Sequence, residues 1–401
     1  IDFSFKVFAG PGAGKTHWLT LHVRNVLQNS RKLSKTGKVA CITYTTTAKE
    51  EVQTRLGNVA EKVEVSTFHS FLYKNILKPY GFTLKKADGK NLLNLKKLDG
   101  HYENIPSLYN VLNWKRLTKQ IYLKDNEGII NCLSDLDWHF VEENQLELRP
   151  RKEWKAYLKN YSIRKDSYEK YKEICWDQGK IHHEDVLYFS YRIFLEQPRA
   201  IEFLIAKFPY IFVDEFQDSH PIQTKILEMI GQKGSVIGVI GDPAQTIYGF
   251  QGSSIKTFFS FSPPNLKTYL INGNRRSTGK IVDLLNKFRK DEIKQVSIRQ
   301  QPGFPVSLLV GDRSEIVDFL IKNHRDLKIL ARDNSTVNQL KNKSKDIVKE
   351  NLWLKSRSLD GNMERQDLIH NTIYAMKFLI DKKFSDAHKK ICQSLNAVKF
   401  N

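Results

Sequence analysis

The sequence predicts an α/β protein, with parallel sheets wound by helices and interrupted by helical insertions. Three observations point there. Short apolar, β-rich runs recur along the 401 residues, each followed by a polar turn and a helical pattern: "FSFKVFA", "KVACITY", "VEVSTF", "YIFVDE", "SVIGVIGD", "KTYLI", "VSLLV" and "KILA". Strands alternating with helices favour parallel sheets. The first run passes through a glycine-rich turn, "AGPGAGKT", into helix-like sequence, and between about residues 76 and 185 Lys-, Tyr- and Trp-rich helical sequence replaces the strand signals.

A chain of this length holds more than one core. "SPPNLK" (262–267) reads as a linker, because Pro-Pro breaks regular structure and a strand begins just after it. The expected division is a first α/β domain over 1–75 and 185–264, a basic helical insertion over 76–184, a second α/β domain over 265–340, and the start of a second helical insertion over 341–401. In the first insertion, "RKEWKAYLKNYSIRKDSYEKYKEICW" (151–176) carries Trp154, Tyr157, Tyr161, Tyr168 and Tyr171 at helical spacing. Such a stripe is more often a packing face than a base-stacking one. "KKADGKNLLNLKK" (85–97) reads as a similar basic stretch, with a solvated loop as the alternative.

Charge narrows the partners. Against 44 Asp and Glu stand 64 Lys and Arg, a net charge of +20, which attracts polyanions. No apolar run approaches the roughly 20 residues that span a bilayer, so nucleic acid is favoured over a membrane. Cys41, Cys132, Cys175 and Cys392 are too scattered for zinc or for a disulfide framework, and Ile1 to Phe8 lacks a basic leader, so the cytoplasm is the expected compartment.

The glycine-rich turn carries the first chemistry. Gly10, Pro11, Gly12, Ala13 and Gly14 run into Lys15, Thr16 and His17, a strand-to-helix context in which backbone N–H groups surround phosphate oxygens. Lys15 would reach the β and γ phosphates and Thr16 would hold Mg²⁺. A strict version of the pattern has Gly where this chain has Ala9. "YIFVDEFQD" supplies acids at the end of an apolar strand: Asp214 to complete the Mg²⁺ shell and Glu215 to take a proton from an attacking water. The plainer reading of those acids is a cap on the helix that follows.

Beyond the P-loop, "TYTTTAKEEVQTRL" (43–56), "STFHSF" (66–71), "DEFQD", "GDPAQTIYGFQGS" (241–253), "NGNRRST" (272–278) and "KILARDN" (328–334) stand in an order that resembles the superfamily 1 DNA helicases of the UvrD, Rep and PcrA type. The resemblance implies two RecA-like motor domains with ATP and Mg²⁺ between them, and an ATPase that moves on single-stranded DNA and unwinds duplex DNA, 3′ to 5′ by the family habit. Under it, Gln217 and Gln245 couple the γ-phosphate to DNA contacts, and Arg276 reaches from the second motor domain to stabilise the transition state. Tyr44, Thr67, Phe68, His69, Tyr248 and Phe250 stand in motifs that contact the strand. Stacking on aromatic rings suits a motor that ignores sequence, although any one of these rings is also a candidate for plain packing.

Some positions depart from the family pattern. Gln251 stands where an arginine is usual, Arg275 where a tyrosine packs on adenine, and Thr46 and Thr47 where Asn-Lys is usual. "IHHEDVLYFSYRIF" (181–194) resembles a "DFDDLL" helix; its His182, His183, Glu184 and Asp185 read as a polar helix start rather than as metal ligands, since helix neighbours point about 100° apart. The adenine-reading segment and the last two motifs have no counterpart, so the sequence reads as part of a longer protein. The short insertions resemble compact members such as the helicase-like subunit of Gabija-type antiviral systems, which works beside a partner nuclease. Two alternatives accompany this reading: a regulatory nucleotide- and DNA-binding subunit of a nuclease complex with little unwinding, and a fragment of a helicase-nuclease.

Overall fold

The chain runs β1 (Phe5–Ala9), α1 (Lys15–Asn29), β2 (Val39–Thr43), α2 (Thr46–Leu56), β3 (Val63–Thr67), α3 (Phe68–Leu72), α4 (Lys78–Tyr80), α5 (Leu108–Leu117), α6 (Asn126–Ser134), β4 (Leu136–Glu142), β5 (Gln145–Pro150), α7 (Tyr168–Asp177), α8 (His183–Glu196) and α9 (Pro198–Lys207). There follow β6 (Tyr210–Val213), α10 (Pro221–Gln232), β7 (Val236–Gly241), α11 (Ile255–Ser260), β8 (Lys267–Ile271), β9 (Gly273–Asn274), α12 (Gly279–Phe288), β10 (Val296–Ser297) and α13 (Arg313–Asn323). This computed structural model describes residues 1–142, 144–152, 162–246, 255–291, 293–324 and 327–331, with 336–337, 363–380, 387–388 and 390–391 further on. Ile1–Val306 forms one unit and Ser307–Asn401 another. In the second, Asp312 caps α13 by accepting the Ser314 and Glu315 N–H groups, and a helix spans Met363–Ile380.

Six parallel strands in the order β3-β2-β6-β7-β1-β8 make the central sheet. The near-continuous apolar runs of β1, β2, β6 and β7 follow from burial on both faces, whereas β8 at the edge is exposed. Alternation along each strand divides the side chains between two cores. Val39, Cys41, Tyr210 and Phe212 join Leu19, Val23 and Val26 of α1 on one face. Ala40, Ile42, Ile211 and Val213 join α8, α9, α10 and the insertion on the other. Leu19, Val23 and Val26 recur at the spacing of one helix face, which is why α1 lies against the sheet. Because every strand points the same way, the loops that follow the strands gather at one edge of the sheet, and every motif but the last begins on such a loop.

Several expectations are corrected. β8 pairs with β1 from Phe5↔Lys267 to Ala9↔Ile271, so it completes the first sheet and does not open a second domain at 265. Pro263 and Pro264 bend the chain without ending the domain, because the β8 backbone finds its hydrogen-bond partners on β1. "VSLLV" and "KILA" form no strand; Leu308 and Leu330 are exposed, and neither segment has a neighbouring strand among the described residues. The insertion is not wholly helical: β4 and β5 form an antiparallel hairpin in it. The proposed long helix over 151–176 is broken, since Ser162–Arg164 is irregular and α7 starts only at Tyr168. Tyr168 and Tyr171 are buried, as the packing reading expects, whereas Trp154, Tyr157 and Tyr161 lie outside the described residues. Residues 85–97 form a turn closed by a Lys85–Asn91 bridge that tucks in Leu92 and Leu93, nearer the loop alternative.

Candidate active site

The P-loop is the turn between β1 and α1. Gly12 (φ 72°) and Gly14 (φ 87°) adopt left-handed backbone that residues with a β-carbon avoid, which turns the chain sharply and starts α1 at Lys15. A Cβ on Gly12 would also fall 2.7 Å from Asn274 Oδ1. The N–H groups of the first turn of α1 thus face a pocket of about 150 Å³ lined by Pro11 to His17 together with Glu51, Arg55, Glu215, Gln245 and Arg276. A helix N-terminus with its unpaired donors is a natural anion site.

The acids come from the end of β6. Lys15 Nζ lies 2.9 Å from Glu215 Oε2. The Thr16 hydroxyl donates to Asp214 Oδ2 at 3.2 Å, and the Glu215 N–H donates to Asp214 Oδ1 at 3.0 Å. Burial, with the neighbouring Glu215 charge, raises the Asp214 carboxyl to about 6 against the pull of Lys15. Glu215 sits at φ 52° and ψ 42°, a left-handed conformation that costs a non-glycine residue roughly 1–2 kcal/mol. The helix-cap reading of these acids does not hold, because α10 is capped by His220 and Gln223 in a reciprocal capping box. Among the described residues no group of three or more His, Cys, Asp or Glu is arranged to hold a metal, the His182–Asp185 segment included. His182 instead caps α8, with Asp185 closing the box. The one hydroxyl and one carboxylate of Thr16 and Asp214 suit Mg²⁺, which keeps several waters and phosphate oxygens as its other ligands.

A polar chain leads away from this centre. Gln217 Nε2 donates to Glu215 Oε2 at 2.9 Å, while Gln217 Oε1 accepts the Asp242 N–H at 3.0 Å. Gln245 Nε2 donates to Asp242 Oδ2 at 2.6 Å.

Three residues with no assigned role hold the P-loop from outside. Asn274, fully buried, donates to the Pro11 carbonyl at 2.8 Å and accepts the Arg276 and Ser277 N–H groups at 3.0 and 2.8 Å. Gln295 also donates to the Pro11 carbonyl, at 3.1 Å. Arg275 donates from its backbone to Gly12 and from Nη1 to Ala13. Asn274 and Arg275 were visible in "NGNRRST", but nothing in the sequence marked Gln295. Arg276 therefore lines the pocket from a turn in the same unit as the P-loop, not from a second domain.

A separate cavity of about 740 Å³ opens beside the loops that follow β2 and β3. Tyr44, Thr67, Phe68 and His69 line it, and the insertion contributes Glu103, Asn104, Ile105 and His183. Phe68 is at the same time part of the hydrophobic core. The Nδ1 atoms of His101 and His183 are 2.6 Å apart, so one ring carries the shared proton. Burial first, then the charges of His183 and His101, lowers His69 to about 3; burial, then His183, lowers His101 to about 4. Tyr248 and Phe250 lie outside the described residues.

Cys41, Cys132 and Cys175 are buried thiols in no disulfide. Among the described residues no helix is long and apolar enough to cross a membrane.

Comparison with known proteins identifies the family. Residues 2–265 match the model of the UvrD/REP helicase N-terminal domain. The chain is 27% identical to the Gabija protein GajB of Bacillus cereus (strain HuB5-5), over 83% of this chain and 53% of that protein. It is 25% identical to the ATP-dependent DNA helicase PcrA of Bacillus subtilis (strain 168), over 78% of this chain and 41% of the relative. To PcrA of Staphylococcus epidermidis (strain ATCC 12228) it is 24% identical, over 95% and 50%. The chain thus spans about half the length of the curated relatives it matches.

Proposed function

Because this chain belongs to the UvrD/REP helicase family, we propose that it binds ATP at the P-loop and couples its hydrolysis to movement on single-stranded DNA and to unwinding of duplex DNA. The observation that carries this reading is the convergence of Lys15, Thr16, Asp214, Glu215, Gln245 and Arg276 around the start of α1. Lys15 and the first-turn N–H groups hold the phosphates. Thr16 and Asp214 would hold Mg²⁺, which neutralises phosphate charge when bound. Glu215 accepts the proton of the attacking water, and Arg276 lends positive charge to the transition state. Gln217 and Gln245 carry the phosphate state outward. Tyr44, Thr67, Phe68 and His69, with Tyr248 and Phe250, contact the strand, while the surplus of basic residues supplies a phosphate attraction that salt weakens.

The likeness to the Gabija protein GajB supports a place beside a nuclease partner in antiviral defence, in the cytoplasm. A second reading, a regulatory nucleotide- and DNA-binding subunit, draws on Arg275, which spends its guanidinium on the Ala13 carbonyl of the P-loop. The deciding measurement is ATP hydrolysis by the full-length protein with and without single-stranded DNA, beside Lys15→Ala. Stimulation by DNA that Lys15→Ala abolishes supports the motor. Hydrolysis indifferent to DNA, with DNA binding intact, supports the regulator.

A further inference from the structure

Arg289 sits just past the C-terminal end of α12, in sequence that carries no motif. Its side chain is only 6% exposed, and the carboxylate it meets, Asp242, is fully buried. The contact is a two-pronged fork: Nη1 donates to Asp242 Oδ2 at 3.0 Å and Nη2 to Asp242 Oδ1 at 2.8 Å. Asp291 holds the guanidinium from the other side through Nε at 2.8 Å and Nη2 at 2.6 Å. Both edges of the planar cation are therefore fixed, a geometry that lysine cannot reproduce.

The position of Asp242 gives this fork its consequence. Besides Arg289, its carboxylate accepts the Gln245 amide at 2.6 Å and the Ala244 N–H at 3.2 Å. Its own N–H donates to Gln217, which in turn donates to Glu215, the partner of Lys15. Four short links thus join a guanidinium at the end of α12 to the lysine of the P-loop. All of these residues belong to the Ile1–Val306 unit. A buried carboxylate without a cation would be costly, and its side chain would turn or protonate to escape. Gln245 would then lose the carboxylate that orients it, and the Asp242 backbone N–H that meets Gln217 would lose the anchor of its side chain.

We propose that Arg289 is a positioning residue for ATP turnover: it holds Asp242 so that Gln217 and Gln245 keep Glu215 and the γ-phosphate side of the pocket in register. It touches no reacting atom itself. The proposal rests on the ATPase reading above and adds to it the residue that sets the outer end of the network.

The test is steady-state ATP hydrolysis by the full-length protein with saturating single-stranded DNA, for wild type, Lys15→Ala, Arg289→Lys, Asp242→Asn and the double variant Arg289→Gln/Asp242→Asn, with Tm recorded for each. Arg289→Lys keeps the buried charge paired and so guards against simple unfolding. The expected result is a fall in kcat of about 10-fold or more with KM for ATP within about 2-fold, since small misplacements around a reacting centre cost up to about 100-fold. The double variant should lose little more than the worse single one. With wild-type turnover present and lost in Lys15→Ala, an unchanged kcat in Arg289→Lys and in the double variant overturns the assignment. So does a loss that tracks Tm alone. Absent wild-type turnover, or turnover that survives Lys15→Ala, sinks the ATPase reading, and the role of Arg289 falls with it.

Discussion

The Lys15 ammonium and the Glu215 carboxylate form an ion pair of 2.9 Å at the mouth of the P-loop. A γ-phosphate entering the loop must share or displace that carboxylate. Glu215→Gln removes the competitor and the proposed proton acceptor together. ATP affinity should hold or rise while kcat falls about 100-fold or more. Equilibrium binding of a fluorescent nucleotide beside steady-state hydrolysis separates the two effects; a parallel loss of both would make Glu215 a binding group only.

Asn274 satisfies the Pro11 carbonyl and two N–H groups of its own turn from a fully buried position. Asn274→Ala should cost about 1–3 kcal/mol in urea unfolding, because these groups lose a partner away from water. It should also raise KM for ATP, since the loop loses one of the three residues that hold it. A variant with wild-type stability and KM would show that the turn does not hold the loop.

Lys172 is fully buried between Asp185 at 3.0 Å and Glu184 at 3.3 Å. Asp185 also accepts both indole N–H groups of Trp138 and Trp176. Lys172→Met keeps the bulk and strands the carboxylates, so a loss of about 3–5 kcal/mol is expected. A change below about 1 kcal/mol in chemical denaturation would mean that the carboxylates protonate or reach water at little cost.

The histidine cluster sets a pH dependence of stability. His69 and His101 have folded values near 3 and 4, below the ordinary 6.5, so the fold favours their neutral forms. That contribution is complete above about pH 6.5 and is lost as pH falls towards about 4. Asp214, raised to about 6, takes up its proton in the fold over part of the same range and acts in the opposite direction. It is unaltered in a His69→Gln/His101→Asn variant, which should therefore show a shallower fall in Tm between pH 7 and 4.5 than wild type. Identical slopes would remove the cluster from the account.

Tyr44 lines the larger cavity from the loop after β2. If it stacks on a base, Tyr44→Ala should weaken binding of a single strand by about 1–3 kcal/mol while leaving the salt slope unchanged. Fluorescence anisotropy across a salt series measures both quantities. An unaltered affinity would assign the ring to packing.

By itself the sequence determined the class of fold and marked the phosphate-loop motif. The P-loop needs backbone N–H groups, glycines and a lysine in one contiguous stretch, and "AGPGAGKTH" is such a stretch. Asp214 and Glu215 end an apolar strand, and strands read as strands because burial on both faces leaves unbroken apolar runs. Those signals are local, so one dimension suffices. Only the tertiary structure decided what depends on pairing and approach. β8 reads as the opening of a new domain until β1 offers it partners, while "VSLLV" and "KILA" read as strands and meet none. The grip of Asn274 and Gln295 on Pro11 and the fork of Arg289 on Asp242 join residues distant along the chain. Whether a charged or amide side chain is buried, and against what, is a property of the packed neighbours and not of the residues beside it in sequence.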